Sequence, residues 1–196
     1  MKLIILIISI FLIGCSNYQY GYISVSSPIQ ACQHKPVYID TQFSPIDRDN
    51  IEKAIDTWNY VLNGFIKFDI ASETFDMDPS EIKNAINNNG VLILKINSLN
   101  PIIPVPKING TVLGFAATGG HYLYLVKDVI LDKEIETITL HELGHILGSP
   151  DIDGEALMNT KHSEENSRCI DKRSMEEVAK YQNIDPKTLN YCVIMK

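Results

Sequence analysis

The stretch "TITLHELGHILGSPDIDGEALMN", Thr137 to Asn159, decides how the chain folds. Around it, Ile135, Ile138, Leu140, Leu143, Ile146 and Leu147 recur at helical spacing and sweep about half of the helix circumference at about 100° per residue. A helix so widely apolar is central and buried. His141 and His145 fall outside the apolar arc, about 40° apart on the wheel, so their imidazoles project together from one face. Glu142 sits beside them. Gly148 can take the left-handed conformation that ends a helix, and Pro150 prevents the helix from resuming. The chain therefore turns back, and Asp151, six residues after His145, is expected to face the histidines.

Two imidazoles and a carboxylate beside an apolar core are costly without a partner. One divalent ion satisfies them. H-E-x-x-H is the zinc spacing, in which the two histidines bind the metal and the glutamate handles a proton. Asp151 is the expected third ligand. Asp153 and Glu155 lie near enough in sequence to compete, and Glu164 or Glu165 would serve if the ligand came from a later helix. The competing structural reading is a buried helix with two hydrogen-bonded histidines.

The rest of the chain supplies a frame. It has 196 residues, of which 45% are hydrophobic, enough for one domain with a sizeable core. A net charge of −7, from 17 basic and 24 acidic side chains, argues against a nucleic-acid partner. "PVYID" (36–40), "FIKFDI" (65–70), "VLILKI" (91–96), "TVLGFAA" (111–117) and "HYLYLVKD" (121–128) read as strands. Residues 44–64 read as a helix, with Ser44 and Asp47 at capping-box spacing. "DPSEIKNAINNNG" (78–90) reads as a short helix or turn, and the motif helix starts near Lys133. A last helix is expected at "SMEE" (174–177). The fold class is α/β: a twisted mixed sheet, two long helices, and a small irregular C-terminal part with the final helix.

The first residues are a separate object. "MKLIILIISIFLIGC" has a basic start and an apolar run of signal-peptide length. Its end, "LIGC", resembles the bacterial lipobox. That resemblance implies a signal peptide over 1–14, lipidation of Cys15 and anchoring to a bacterial cell membrane. Ser16 is compatible with an outer membrane. Residues 15–35 are expected to be the lipidated cysteine and a tether, and 36–196 the domain, divided near Gly148 into subdomains 36–148 and 149–196. Export favours a disulfide among Cys32, Cys169 and Cys192. Cys169–Cys192, which flank the last helix, is the preferred pair, with Cys32 able to replace either.

"HELGHILGSPD" resembles the metzincin metallopeptidase motif H-E-x-x-H-x-x-G-x-x-H/D, and its aspartate form resembles snapalysin-type enzymes. Residues 36–70 look like the opening strand–helix–strand of matrixin-like catalytic domains, Trp58 included. The resemblance implies a zincin fold and one zinc ion on His141, His145 and Asp151. It also implies Glu142 as general base and Met158, in "EALMN", as the methionine of the turn beneath the metal. It implies that a protein or peptide substrate lies extended along an edge strand containing Leu113, Gly114, Phe115 and Ala116. The specificity pocket is expected in "NTKHSEENS" after Met158, with His162 as a possible substrate contact. The implied function is a zinc endopeptidase of the cell envelope, a monomer held to the membrane by its N-terminal lipid. The alternative is a non-catalytic zinc- or protein-binding surface lipoprotein with the same fold.

Overall fold

A computed structural model of the chain describes residues 19–24, 33–71, 78–106, 110–161 and 169–195. Residues 1–14, read as a signal peptide, and Cys15, Cys32, His162, Glu164 and Glu165 lie outside the described residues.

The scaffold is an α/β layer structure. Strands β2 (Gln33–Ile39), β3 (Ile66–Ile70), β4 (Val91–Ile96) and β6 (Tyr122–Val126) run parallel. Strand β5 (Gly114–Ala116) joins antiparallel to β6, so the five-stranded sheet has the order β3-β2-β4-β6-β5. Helices α1 (Pro45–Val61) and α3 (Ile135–Ile146) cover one face, and α2 (Pro79–Asn87) covers part of the other. Strand β4 is apolar at nearly every position because both its faces are buried: Val91 and Ile93 join the main core, whereas Leu92 and Leu94 pack with Ala85 of α2.

Local chemistry explains the boundaries. The Ser44 hydroxyl accepts from Asp47 N–H, and the Asp47 carboxylate accepts from Ser44 N–H, so both halves of the capping box form. Asn63 and Gly64, both at positive φ, turn the chain from α1 into β3. Trp58, fully buried, donates its indole N–H to Leu140 O at 2.9 Å and so fixes α1 against the motif helix.

Three expectations are corrected. The strand expected from Pro36 begins at Gln33, because pairing with β3 extends from Gln33 to Val37. Part of the expected tether is also structured: β1 (Gln19–Ile23) pairs antiparallel with β7 (Tyr191–Met195). The last helix, α4 (Lys172–Gln182), starts before Ser174. Its cap is Asp171, whose carboxylate accepts from Arg173 N–H and Ser174 N–H, and Ser174 is buried inside the first turn. The bond Cys169–Cys192 forms, with a Cα separation of 5.5 Å.

Candidate metal centre and cleft

Helix α3 ends as its sequence requires. Gly148 N–H donates to His145 O and Ser149 N–H to Gly144 O, both at 2.9 Å, with Gly148 at φ +102°. This is the paired hydrogen-bond ending that favours glycine. Past it the chain reverses and carries Asp151 back. Asp151 Oδ1 then lies 3.4 Å from His141 Nε2 and 3.6 Å from His145 Nε2. The three ligand atoms fall within 4.8 Å of one another, and no other such group of His, Cys, Asp or Glu occurs among the described residues.

The histidine rings are oriented by the backbone. His141 Nδ1 lies 2.8 Å from Leu157 O, and His145 Nδ1 lies 2.8 Å from Ser149 O. A carbonyl only accepts, so Nδ1 carries a proton in both rings, and each Nε2 is the atom left to take a proton or a metal ion on the side of Asp151. Donors at zinc–nitrogen distances of about 2.0–2.1 Å in a tetrahedron stand about 3.3 Å apart. The two separations from Asp151 are close to that spacing, the three atoms together spread no wider than 4.8 Å, and a donor set of two imidazoles and a carboxylate suits a divalent ion such as zinc.

Charges in the cluster are interdependent. Burial pushes the Glu142 carboxyl up to about 7, against a smaller downward pull from His141. Asp151 is held below the usual carboxylate range, chiefly by its contact with His141. His145 is held below the ordinary histidine value by burial and then by the neighbouring His141. Burial pulls His141 down as well, but its contact with Asp151 and the charge of Glu142 outweigh that and hold it above the ordinary value.

Glu142 points into the cleft between α3 and β5. One side-chain oxygen, Oε2, is buried with no hydrogen-bond partner, while Ala116 makes a backbone hydrogen bond to the carboxylate. The cleft, about 280 Å³, is lined by Leu113, Gly114, Phe115 and Ala116 on one side and by Ile138, His141, Glu142 and His145 beneath. Gly114 passes so close that a β-carbon there would sit 3.1 Å from Glu142 Oε1.

Met158 is fully buried beneath the histidines. A β-carbon on Gly144, the residue before His145, would fall 2.3 Å from Met158 Sδ, so the thioether packs directly against the helix there. The turn carrying it is closed by Asn159 N–H donating to Ala156 O at 3.2 Å. The start of α4 holds this turn. Asp171 Oδ2 accepts from Leu157 N–H and from Ser174 Oγ, each at 2.7 Å, and Ser174 Oγ accepts from Met158 N–H at 3.2 Å. Leu157 O is the oxygen that orients His141. Asp171 and Ser174 were not singled out in the sequence as site residues. Their signal is a helix cap, which carries no indication of what else the carboxylate touches.

Of the other sequence candidates, Asn159 and Thr160 line the cleft, as expected for residues after Met158. Asp153 and Glu155 are exposed and stand outside the ligand group. His34 pairs with Asp69 on the sheet edge, and His121 contacts Gly90 O at 2.8 Å, so neither joins the site. No helix among the described residues is long and apolar enough to cross a membrane. No protein-family model matches the chain, and no curated protein matches it.

Proposed function

We propose that this protein is a zinc-dependent endopeptidase of the metzincin type, exported and anchored by a lipid at Cys15. The observation that carries the reading is the convergence of His141 Nε2, His145 Nε2 and Asp151 Oδ1 within 4.8 Å at the floor of an open cleft, beside a buried glutamate with a free oxygen. The parallel sheet with one antiparallel edge strand, the helix turned at Gly148 and the methionine beneath the histidines support the metzincin fold.

His141, His145 and Asp151 would hold one zinc ion, which supplies Lewis acidity that polarises the scissile carbonyl and acidifies water. The chain's own residues do the rest. Gly114–Ala116 form an edge strand whose outer side has no strand partner among the described residues, so an extended substrate can pair with its backbone. Glu142, unpartnered at Oε2, takes the proton of the attacking water and delivers it to the departing amine nitrogen. Gly114 has no side chain to come between substrate and base.

The test is zinc content and hydrolysis of a broad peptide pool by the purified protein. Wild type is expected to hold one zinc and cleave. Glu142→Ala is expected to keep the metal and lose about a hundredfold or more in rate. Asp151→Ala is expected to weaken zinc binding. A wild type that binds zinc and cleaves nothing would favour the non-catalytic binding protein; one that binds no zinc would overturn both.

A further inference from the structure

The chain joining β4 to β5 contains an uncharged run, "NSLNPIIPVP" (97–106). Its tip exposes Leu99 at 91% and Ile102 at 85%. No other large hydrophobic side chain among the described residues exceeds 64%. Two aliphatic side chains held this far into water are unfavourable for an isolated domain, and the run is built to hold them there. Ser98 N–H and Oγ donate to the Asp128 carboxylate at 2.8 and 2.5 Å. Asn100 Oδ1 accepts from Ile102 N–H and Ile103 N–H at 2.9 and 2.8 Å. Three prolines restrict the remaining backbone.

The same run reaches the cleft. Pro106 lines it, together with Thr111, Val112 and Leu113. Ile102 is four residues from Pro106, a reach of no more than about 14 Å. A substrate strand that lies along β5 and continues past Leu113 thus passes within reach of this apolar tip. We propose that Leu99 and Ile102 form an accessory docking surface for an uncharged, aliphatic segment of the protein substrate, outside the residues that flank the scissile bond. This inference rests on the peptidase reading for its choice of occupant.

A lipid bilayer is the other apolar surface such a tip could meet, and the fold argues against it. The run leaves β4 where Lys95 N–H and Nζ bond Asp40 and Gln42, just before α1 begins. Strand β7, the partner of N-terminal β1, leaves from Asn190, which bonds Tyr60 O and Val61 O where α1 ends. The seventeen residues of α1 span about 25 Å. The point where β7 begins and the point where the run leaves β4 thus stand at opposite ends of α1.

The test uses the full zinc-loaded chain carrying Glu142→Gln, so that binding is read without turnover. Fluorescent peptides share one randomised alanine-rich centre and carry either an Ile-Leu-Val-Ile or a Ser-Gly-Ser-Gly tail, at either end. The aliphatic tail, at one end only, is expected to tighten binding roughly tenfold, as burial of about two aliphatic side chains allows. Leu99→Ser/Ile102→Ser is expected to abolish that gain and leave binding of the Ser-Gly peptide unchanged. No gain from the aliphatic tail, or a gain that survives the double substitution, overturns the proposal. Binding to phosphatidylglycerol vesicles that depends on Leu99 and Ile102 would assign the tip to the bilayer and overturn it as well. Hydrolysis of the same peptides by wild type is scored separately. Its absence would sink the peptidase reading, while the affinity difference still decides the docking surface.

Discussion

A β-carbon at position 114 would press on Glu142 Oε1 at 3.1 Å and on Ile138 Cγ2 at 2.9 Å. Backbone conformation is not the constraint, since Gly114 is not among the glycines at positive φ. The glycine is there for close approach. Gly114→Ala is expected to displace the Glu142 carboxylate by a few tenths of an ångström and lower the rate of peptide cleavage about tenfold or more. Zinc content should stay at the wild-type level, which metal analysis beside kinetics checks. The same carboxylate gives the metal-free protein a pH signature. Its folded value, about 7, lies above its ordinary 4.5, so its contribution to stability is fully present below about 4.5 and is lost as pH rises through 7. The loss is on the order of 3 kcal/mol. Metal-free Glu142→Gln should not show it. Thermal unfolding of the two metal-free proteins at pH 5 and pH 8 is therefore expected to diverge, with the variant gaining relative to wild type at the higher pH. A bound dication favours the ionised carboxylate and should narrow the difference.

At the scale of elements, the site is assembled by two helix ends. The C-terminal turn of α3 delivers Asp151, and the N-terminal turn of α4 holds the segment under the histidines. Asp171 serves four donors at once: Arg173 N–H, Ser174 N–H, Ser174 Oγ and Leu157 N–H. Asp171→Ala removes a cap and leaves buried donors unpaired, so a loss of about 2–3 kcal/mol in stability is expected. The Leu157 carbonyl that orients His141 then loses its support, so zinc affinity is expected to fall more than it does in Lys172→Ala, a substitution in the same turn. Denaturant unfolding and zinc titration of the two variants separate the cap from the metal. Tyr181 closes the other end. Its ring lies where a β-carbon on Gly148 would stand, 2.0 Å from Cδ1, so the residue that ends α3 is also the residue against which α4 packs.

Over the whole molecule, the Cys169–Cys192 bond ties the entry of α4 to β7, and through β7 to the N-terminal strand β1. It closes a loop of sequence separation 23, which corresponds to about 3 kcal/mol of chain entropy. Cys169→Ser/Cys192→Ser is expected to lower the unfolding free energy by that amount in denaturant titration. The effect on zinc affinity should be smaller, because Asp171 remains as a cap. The acidic net charge and the uncharged tip at Leu99 and Ile102 divide the surface unevenly, and any substrate held there would be selected by apolar contact rather than by charge.

The sequence alone determined whatever depends on neighbours along the chain. The spacing of His141 and His145 places both rings on one helical face at any site in any fold. Gly148 and Pro150 end that helix wherever it lies, and Ser44 with Asp47 starts α1 by bonds within one turn. The antiparallel edge strand was legible as a position but too long, since only Gly114–Ala116 pair with β6. Tertiary structure decided the rest. Pairing of β1 with β7 joins segments some 170 residues apart, and no local pattern in 16–35 announces it. Ser174 read as a helix cap because its sequence neighbours fit one. Asp171 took the role because it can also accept from Leu157, a contact made only once the chain has folded back under α3. Which carboxylate faces the histidines was a matter of offset and remained open among several in the sequence. Among the described residues Asp151 does so, because a glycine at φ +102° aims that side chain, and not Asp153 or Glu155, at two imidazoles whose Nδ1 atoms are already committed to backbone carbonyls.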